Sequence, residues 1–321
     1  MIMPQFEMSL EELREYRGRN PRPADFDGYW EKALVEMNAL EPNVELIPSG
    51  FQTPFAECFD MYFTGVRGAR LHAKYLRPRS GKQPHPAILQ FHGYSGNCGE
   101  WHEKLGFVAM GFSVAALDCR GQGGLSDDTG GSKGNTLKGH IIRGLDDTPD
   151  NLMYHHLFLD TAQLAKIVMA LPEVDAKRIG AMGMSQGGGL TLACGALEPR
   201  IKRLVPVCPF LCDYQRVWEM DLAVNAYEEL KTYFRFFDPR HEREKEVFTT
   251  LGYIDCQHLA PRIKGEVLMA IGLMDEICPP SSQFAAYNKI TAKKQVVLYP
   301  DFTHEGYPGF MDQAFQFLAG L

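Results

Sequence analysis

The chain has 321 residues, 45% of them hydrophobic and 23% charged, with a formal net charge of −7. That composition excludes wholesale disorder, and a chain of this length buries a sizeable core without disulfide or metal staples. The acidic balance argues against a nucleic-acid partner, which would call for a clustered basic face.

No apolar run is long enough to span a membrane, and the first residues have neither the basic start nor the apolar stretch of a signal peptide. The expectation is a cytosolic protein. Eight cysteines are spread along the chain, several in apolar surroundings such as Leu204-Val205-Pro206-Val207-Cys208, which suits buried reduced thiols. The Cys208/Cys212 pair has no second pair to complete a zinc site, and no zinc-protease His spacing occurs. No metal is expected.

Residues 1–43 read as a helical extension. Ser9 and Glu12 have capping-box spacing, and Asp27-Gly28-Tyr29-Trp30 opens a second helix running to about Leu40. Residues 44–78 alternate, with Phe59, Met61 and Phe63 on one face and a turn at Gly65-Val66-Arg67-Gly68, the pattern of a β-hairpin. Short apolar runs follow at Ala87–Phe91, Phe112–Leu117, Ile179–Met182, Leu204–Pro209, Glu266–Leu273 and Gln295–Tyr299. Helical patterns at roughly 158–171, 185–197, 281–290 and 309–319 lie between and after them. Buried strands alternating with helices predict a single α/β domain, a mostly parallel sheet with helices on both faces. Residues 211–263 break the rhythm and read as a helical insertion lying over the sheet's edge.

The sharpest signal is Gly183-Met184-Ser185-Gln186-Gly187, placed between a strand-like and a helix-like segment. A G-x-S-x-G sequence there predicts a nucleophile elbow, its serine on a strained turn flanked by glycines. A serine needs a base within hydrogen-bond reach, oriented in turn by a carboxylate. Downstream lie His241 and His258, both in the insertion, and His304, in a loop just after the last strand. His304 is therefore the candidate base. Asp275, after the strand Glu266–Leu273, is the favoured acid, with Glu276 as rival and Asp301 as a weaker one. Oxyanion donors are expected at the Gln186 N–H and in His92-Gly93-Tyr94-Ser95-Gly96, where register selects the Tyr94 N–H. Trp101, Phe210, Ile277 and Cys278 are candidates to close a short acyl pocket. Asp118-Cys119-Arg120-Gly121-Gln122-Gly123-Gly124 imitates a dinucleotide fingerprint but has Ser126 at its sixth position, and Arg120 reads as a structural cation. Nucleotide binding has no support.

With these residues assembled, the chain resembles the acetyl xylan esterase and cephalosporin C deacetylase family of α/β-hydrolases, carbohydrate esterase family seven. The matching stretches run through nearly the whole length. They include His92 to Asn97, Asp118 to Gly124, Lys138 to Gly144, Gly183 to Gly188, Phe237 to Glu242, Asp275 to Pro280 and His304-Glu305-Gly306. The resemblance puts the family's triad on Ser185, Asp275 and His304 and its oxyanion donors on Tyr94 and Gln186. It implies deacetylation of small acetylated sugars and cephalosporins, without a cofactor, by a cytosolic homohexamer. A serine peptidase or other carboxylesterase of the same fold, or a non-catalytic binding protein built on it, are the competing readings.

Overall fold

The computed structural model describes residues 6–129 and 134–321, so residues 1–5 of the expected helical extension lie outside the described residues. Strands β1 (Glu45–Pro48), β2 (Ala56–Thr64) and β3 (Arg70–Pro78) pair antiparallel, and β3 joins β5 (Ser113–Leu117) antiparallel. From there the sheet is parallel through β4 (His85–Phe91), β6 (Val174–Met184), β7 (Arg203–Val207), β8 (Glu266–Gly272) and β9 (Lys294–Tyr299). The spatial order is β1-β2-β3-β5-β4-β6-β7-β8-β9.

Alternate residues of these strands feed two cores. Ala87, Leu89, Phe91, Ala181, Leu204 and Met269 face one side, packing with α2 (Phe26–Asn38), α4 (Met153–Ala170), α5 (Gln186–Leu197) and α10 (Pro280–Lys289). Ile88, Val114, Met182, Val205 and Leu268 face the other, against α3 (Leu105–Ala109) and α11 (Phe310–Ala319). Both faces being covered is what makes the strand sequences near-continuously apolar.

The predicted cap is present at α1 (Leu10–Glu15): Ser9 Oγ accepts from the Glu12 N–H at 3.2 Å, and Glu12 Oε2 accepts from the Ser9 N–H at 2.8 Å. The hairpin is present too, lengthened by β1. The insertion departs from expectation in its placement. Its helices α6 (Tyr214–Glu219), α7 (Glu228–Phe237), α8 (Glu244–Leu251) and α9 (Cys256–Leu259) do not hang over a sheet edge. The chain enters them from β7, between β6 and β8; α9 packs on α5 and α10 over the centre of the parallel strands, and α6 packs on α10. Cys256 donates its N–H to Leu211 O at 2.9 Å, tying the far end of the insertion to its start. The N-terminal segment is pinned to the insertion by Asp213, whose carboxylate accepts from the Arg19 and Asn20 N–H groups and the Tyr16 hydroxyl. All eight cysteines are buried and unpaired.

Candidate active site

Ser185 sits between β6 and α5 at φ 59° and ψ −118°, a conformation costly for a residue with a side chain. The flanking glycines are required by the packing. A Cβ on Gly183 would lie 2.6 Å from Phe91 O, and one on Gly187 would lie 2.1 Å from the same atom. The turn is fastened to the end of β7: the Ser185 N–H donates to Val207 O at 2.9 Å, and Ser185 O accepts from the Phe210 N–H at 3.0 Å.

His304 follows β9 and places Nε2 2.9 Å from Ser185 Oγ. Its Nδ1 lies 2.8 Å from Asp275 Oδ2, so Nδ1 carries the proton and Nε2 presents a lone pair to the serine hydroxyl. Asp275, fully buried, also accepts from the Ile277 and Cys278 N–H groups at 2.9 and 2.8 Å. These bonds hold the carboxylate in place with Oδ2 turned to His304. Of the rival acids, Glu276 and Asp301 are both exposed, and neither forms the bond to His304 that Asp275 does. The histidine loop is held to β8 by Tyr307, whose hydroxyl accepts from the Gly272 N–H at 2.9 Å and donates to Thr303 O at 3.3 Å.

Burial alone would push the His304 imidazole down; the neighbouring Cys278 sulfur, the Asp275 hydrogen bond and Cys208 reverse this and raise it. Burial pushes the Cys278 thiol up to about 12, so it is neutral near pH 7 and Asp275 is the charge that favours the imidazolium. Cys208, Asp275 and His304 are close enough to share a cation, as are His72, Cys98 and Asp118. In the first group both His304 nitrogens are engaged by Ser185 and Asp275. In the second, both His72 nitrogens bond carboxylates and burial beside Asp118 pushes the Cys98 thiol up to about 12. Neither set offers a free ligand array.

Gln186 is the first residue of α5, where a backbone N–H has no partner inside the helix. Among the described residues neither that N–H nor the one of Tyr94 has a protein acceptor. Two donors beside the serine thus remain free for an oxygen. His92 props this loop as expected, with Nδ1–H donating to Gly93 O at 2.7 Å and Nε2 accepting from the Cys119 N–H at 3.0 Å. Burial lowers its pKa, keeping it neutral. Arg120 is fully buried, forked onto Asp160 of α4 at 2.6 Å through both Nε and Nη2.

Phe210 packs edge-on against Tyr94 at 5.8 Å between ring centroids, and Cys278 adjoins His304. Ile277, half-buried, shares the Asp275 loop. Trp101 has other neighbours. Its ring stacks on Phe51 at 6.4 Å and under the Lys74 ammonium at 4.9 Å, and among the described residues it makes no ring contact with Tyr94, Phe210 or His304. Lys74 of β3 and Phe51, in the loop between β1 and β2, hold the ring there. Sequence reasoning missed Gln122, whose Oε1 accepts from the Ser95 N–H at 2.9 Å and whose amide pairs with that of Gln186 at 2.9–3.0 Å. It couples the Tyr94 loop to the elbow. Its only signal was a buried-looking glutamine in the glycine-rich stretch set aside as an imitation of a dinucleotide fingerprint.

Residues 3–321 match the family model described as acetyl xylan esterase (AXE1). The structure of acetyl xylan esterase 1 from Thermoanaerobacterium sp. JW/SL YS485 is 62% identical, with a TM-score of 0.95 over 98% of this chain and 99% of that one. The acetyl xylan esterase from Paenibacillus sp. R4 is 37% identical, with a TM-score of 0.91 over 98% and 99%. A curated relative, acetyl esterase Axe7A from Xylanibacter ruminicola, is 26% identical over 88% of this chain. The match spans 63% of that relative's length, less than two thirds. With the nine-stranded sheet and the serine elbow in place, these matches show that the chain belongs to the acetyl xylan esterase family, built on the α/β-hydrolase fold.

Proposed function

We propose that the protein is a serine esterase removing acetyl groups from small acetylated carbohydrates, with acetylated cephalosporins as further substrates. The observation that carries this is the Ser185–His304–Asp275 chain of hydrogen bonds at 2.9 and 2.8 Å beside two free backbone N–H groups. Ser185 Oγ attacks the acetyl carbonyl while His304 Nε2 takes its proton, and the imidazolium rests against Asp275. The Tyr94 and Gln186 N–H groups hold the oxyanion. The bond to the sugar oxygen breaks, that oxygen leaves with the proton from His304, and acetyl-Ser185 remains. Water, deprotonated by His304, releases acetate and restores the serine. The substrate class is supported by the family's description and by the relatives' names.

A panel of acetylated xylo-oligosaccharides, a 3-acetoxymethyl cephalosporin and peptide amides tests the reading. Turnover of the acetyl esters with release of acetate is expected, and cleavage confined to peptides would overturn it. The family resemblance also supports a cytosolic homohexamer. Sedimentation velocity of the purified chain checks the assembly, and a monomer at micromolar concentration would overturn that part.

A further inference from the structure

The oxyanion loop leans on a segment that belongs to no helix or strand, residues 134–148, and that segment is organised around one carboxylate from the insertion. Glu229, in the first turn of α7 and 6% exposed, accepts from the N–H groups of Gly139 at 2.9 Å, Ile141 at 2.7 Å and Ile142 at 3.3 Å. Gly139 has φ +90°, which lets these donors converge, so the backbone forms an anion cradle filled by the chain's own carboxylate. Among the described residues no lysine or arginine pairs with Glu229; Lys138 pairs with its neighbour Glu228. The cradle presents His140, fully buried, with its Nε2–H bonded to Thr136 O at 3.0 Å and its ring 4.7 Å from that of Tyr94. A second tie runs from Ser95 Oγ to Leu137 O. On its other side the Tyr94 ring meets Phe210, which packs on Tyr227, two residues before Glu229.

We infer that Glu229 is a positioning residue for the oxyanion hole, acting through the 139–142 cradle and His140 on Tyr94, so that the insertion sets where one of the two oxyanion donors points. The inference rests on the assignment of the Tyr94 N–H as that donor. A carboxylate accepts from all three N–H groups at once. The amide of Glu229→Gln keeps the shape but offers only one accepting oxygen and turns an NH₂ toward donors. The cradle then opens on one side and His140 shifts. A misplacement of about 1 Å in a catalytic group costs on the order of 100-fold, while substrate binding through other contacts is spared.

The experiment compares wild type, Glu229→Gln and His140→Ala as full-length protein. It measures kcat and KM on an acetyl ester, the rate at which a fluorophosphonate phosphonylates Ser185, and the melting midpoint. In that labelling Ser185 Oγ bonds phosphorus, fluoride leaves, His304 takes the serine proton, and the phosphoryl oxygen occupies the oxyanion site. The expected result is a roughly 10- to 100-fold fall in kcat with KM within about twofold. The labelling rate should fall in proportion and the midpoint hold within a few degrees. Wild-type kcat and labelling rate in folded Glu229→Gln would overturn the inference, whatever its melting midpoint. If Glu229→Gln does not fold, His140→Ala, whose cradle is intact, decides by the same two readouts. A wild type that labels at Ser185 but ignores acetyl esters overturns the substrate reading alone, because the labelling comparison still tests the brace.

Discussion

At the scale of single residues, Asp275 does two things that an asparagine cannot. It holds the proton on His304 Nδ1 and, in the proposed mechanism, stabilises the imidazolium that forms during attack. Asp275→Asn presents an NH₂ group to Nδ1 in one of its orientations and favours the tautomer with Nε2 protonated, which cannot accept from Ser185. A loss of about 10⁴ in kcat is expected, measured on an acetyl ester, and adding Ser185→Ala should deepen it little beyond the worse single variant. The pH profile follows the direction of the His304 shift. Because the imidazole is raised, and catalysis needs it neutral, activity should be lost as pH falls through a midpoint at or above the ordinary histidine value of about 6.5. Residual activity of Asp275→Asn should have its midpoint lower, since the charge favouring protonation is gone. A wild-type profile flat down to about pH 5 would exclude a histidine base.

Elements of structure decide what the residues can reach. We propose an acyl pocket drawn from three loops at the ends of parallel strands: Tyr94 after β4, Phe210 after β7, and Ile277 with Cys278 after β8. These groups are rigid or tightly packed, and one excess methylene in such a site costs about 1–3 kcal/mol, or roughly 10- to 200-fold. The kcat/KM for p-nitrophenyl esters should therefore fall steeply from acetyl to butyryl and vanish at octanoyl; a rise toward longer chains would remove the deacetylase reading and leave the triad standing. The elbow was legible in the sequence because its own residues are consecutive: Gly183 and Gly187 flank Ser185 at a fixed spacing, even though the atom that a Cβ on either would meet, Phe91 O, is distant in the chain. Helix α4 was legible only from residue 158. It is buried on nearly every side from Met153 onward, so its first turn carries no apolar stripe to mark a period. Gln122 and Glu229 were not legible as site-building groups. Their partners are backbone or amide groups tens of residues away, and no spacing rule encodes such a meeting. The contacts of Trp101 were hidden for a related reason: its neighbours Phe51 and Lys74 lie tens of residues away in the chain.

Across the whole molecule, the N-terminal segment and the insertion depend on each other. Trp30 is fully buried with its indole N–H donating to Tyr253 O at 3.0 Å, and Asp213 gathers Tyr16, Arg19 and Asn20. Asp213→Ala leaves those donors without an acceptor in a buried place, at a cost of about 3 kcal/mol or more. Urea unfolding should show that loss in the midpoint, while kcat of the folded enzyme on an acetyl ester stays near wild type. The placement of the insertion over the sheet's centre was misread in the sequence because a helical, charged stretch does not state which strand it leaves from in space. That β7 lies between β6 and β8 is a property of the finished sheet.

The eight sequestered thiols bear on how the protein survives heating. Folded, every sulfur is shielded from oxidant. Unfolded, all of them meet air and one another at once, and any mispaired bridge blocks the return. Heat inactivation in an aerated buffer should thus be a one-way process whose apparent midpoint follows the scan rate, and a reducing agent should restore recovery on cooling. A protein that regains full activity after aerobic melting would show that its chain refolds faster than its sulfurs react.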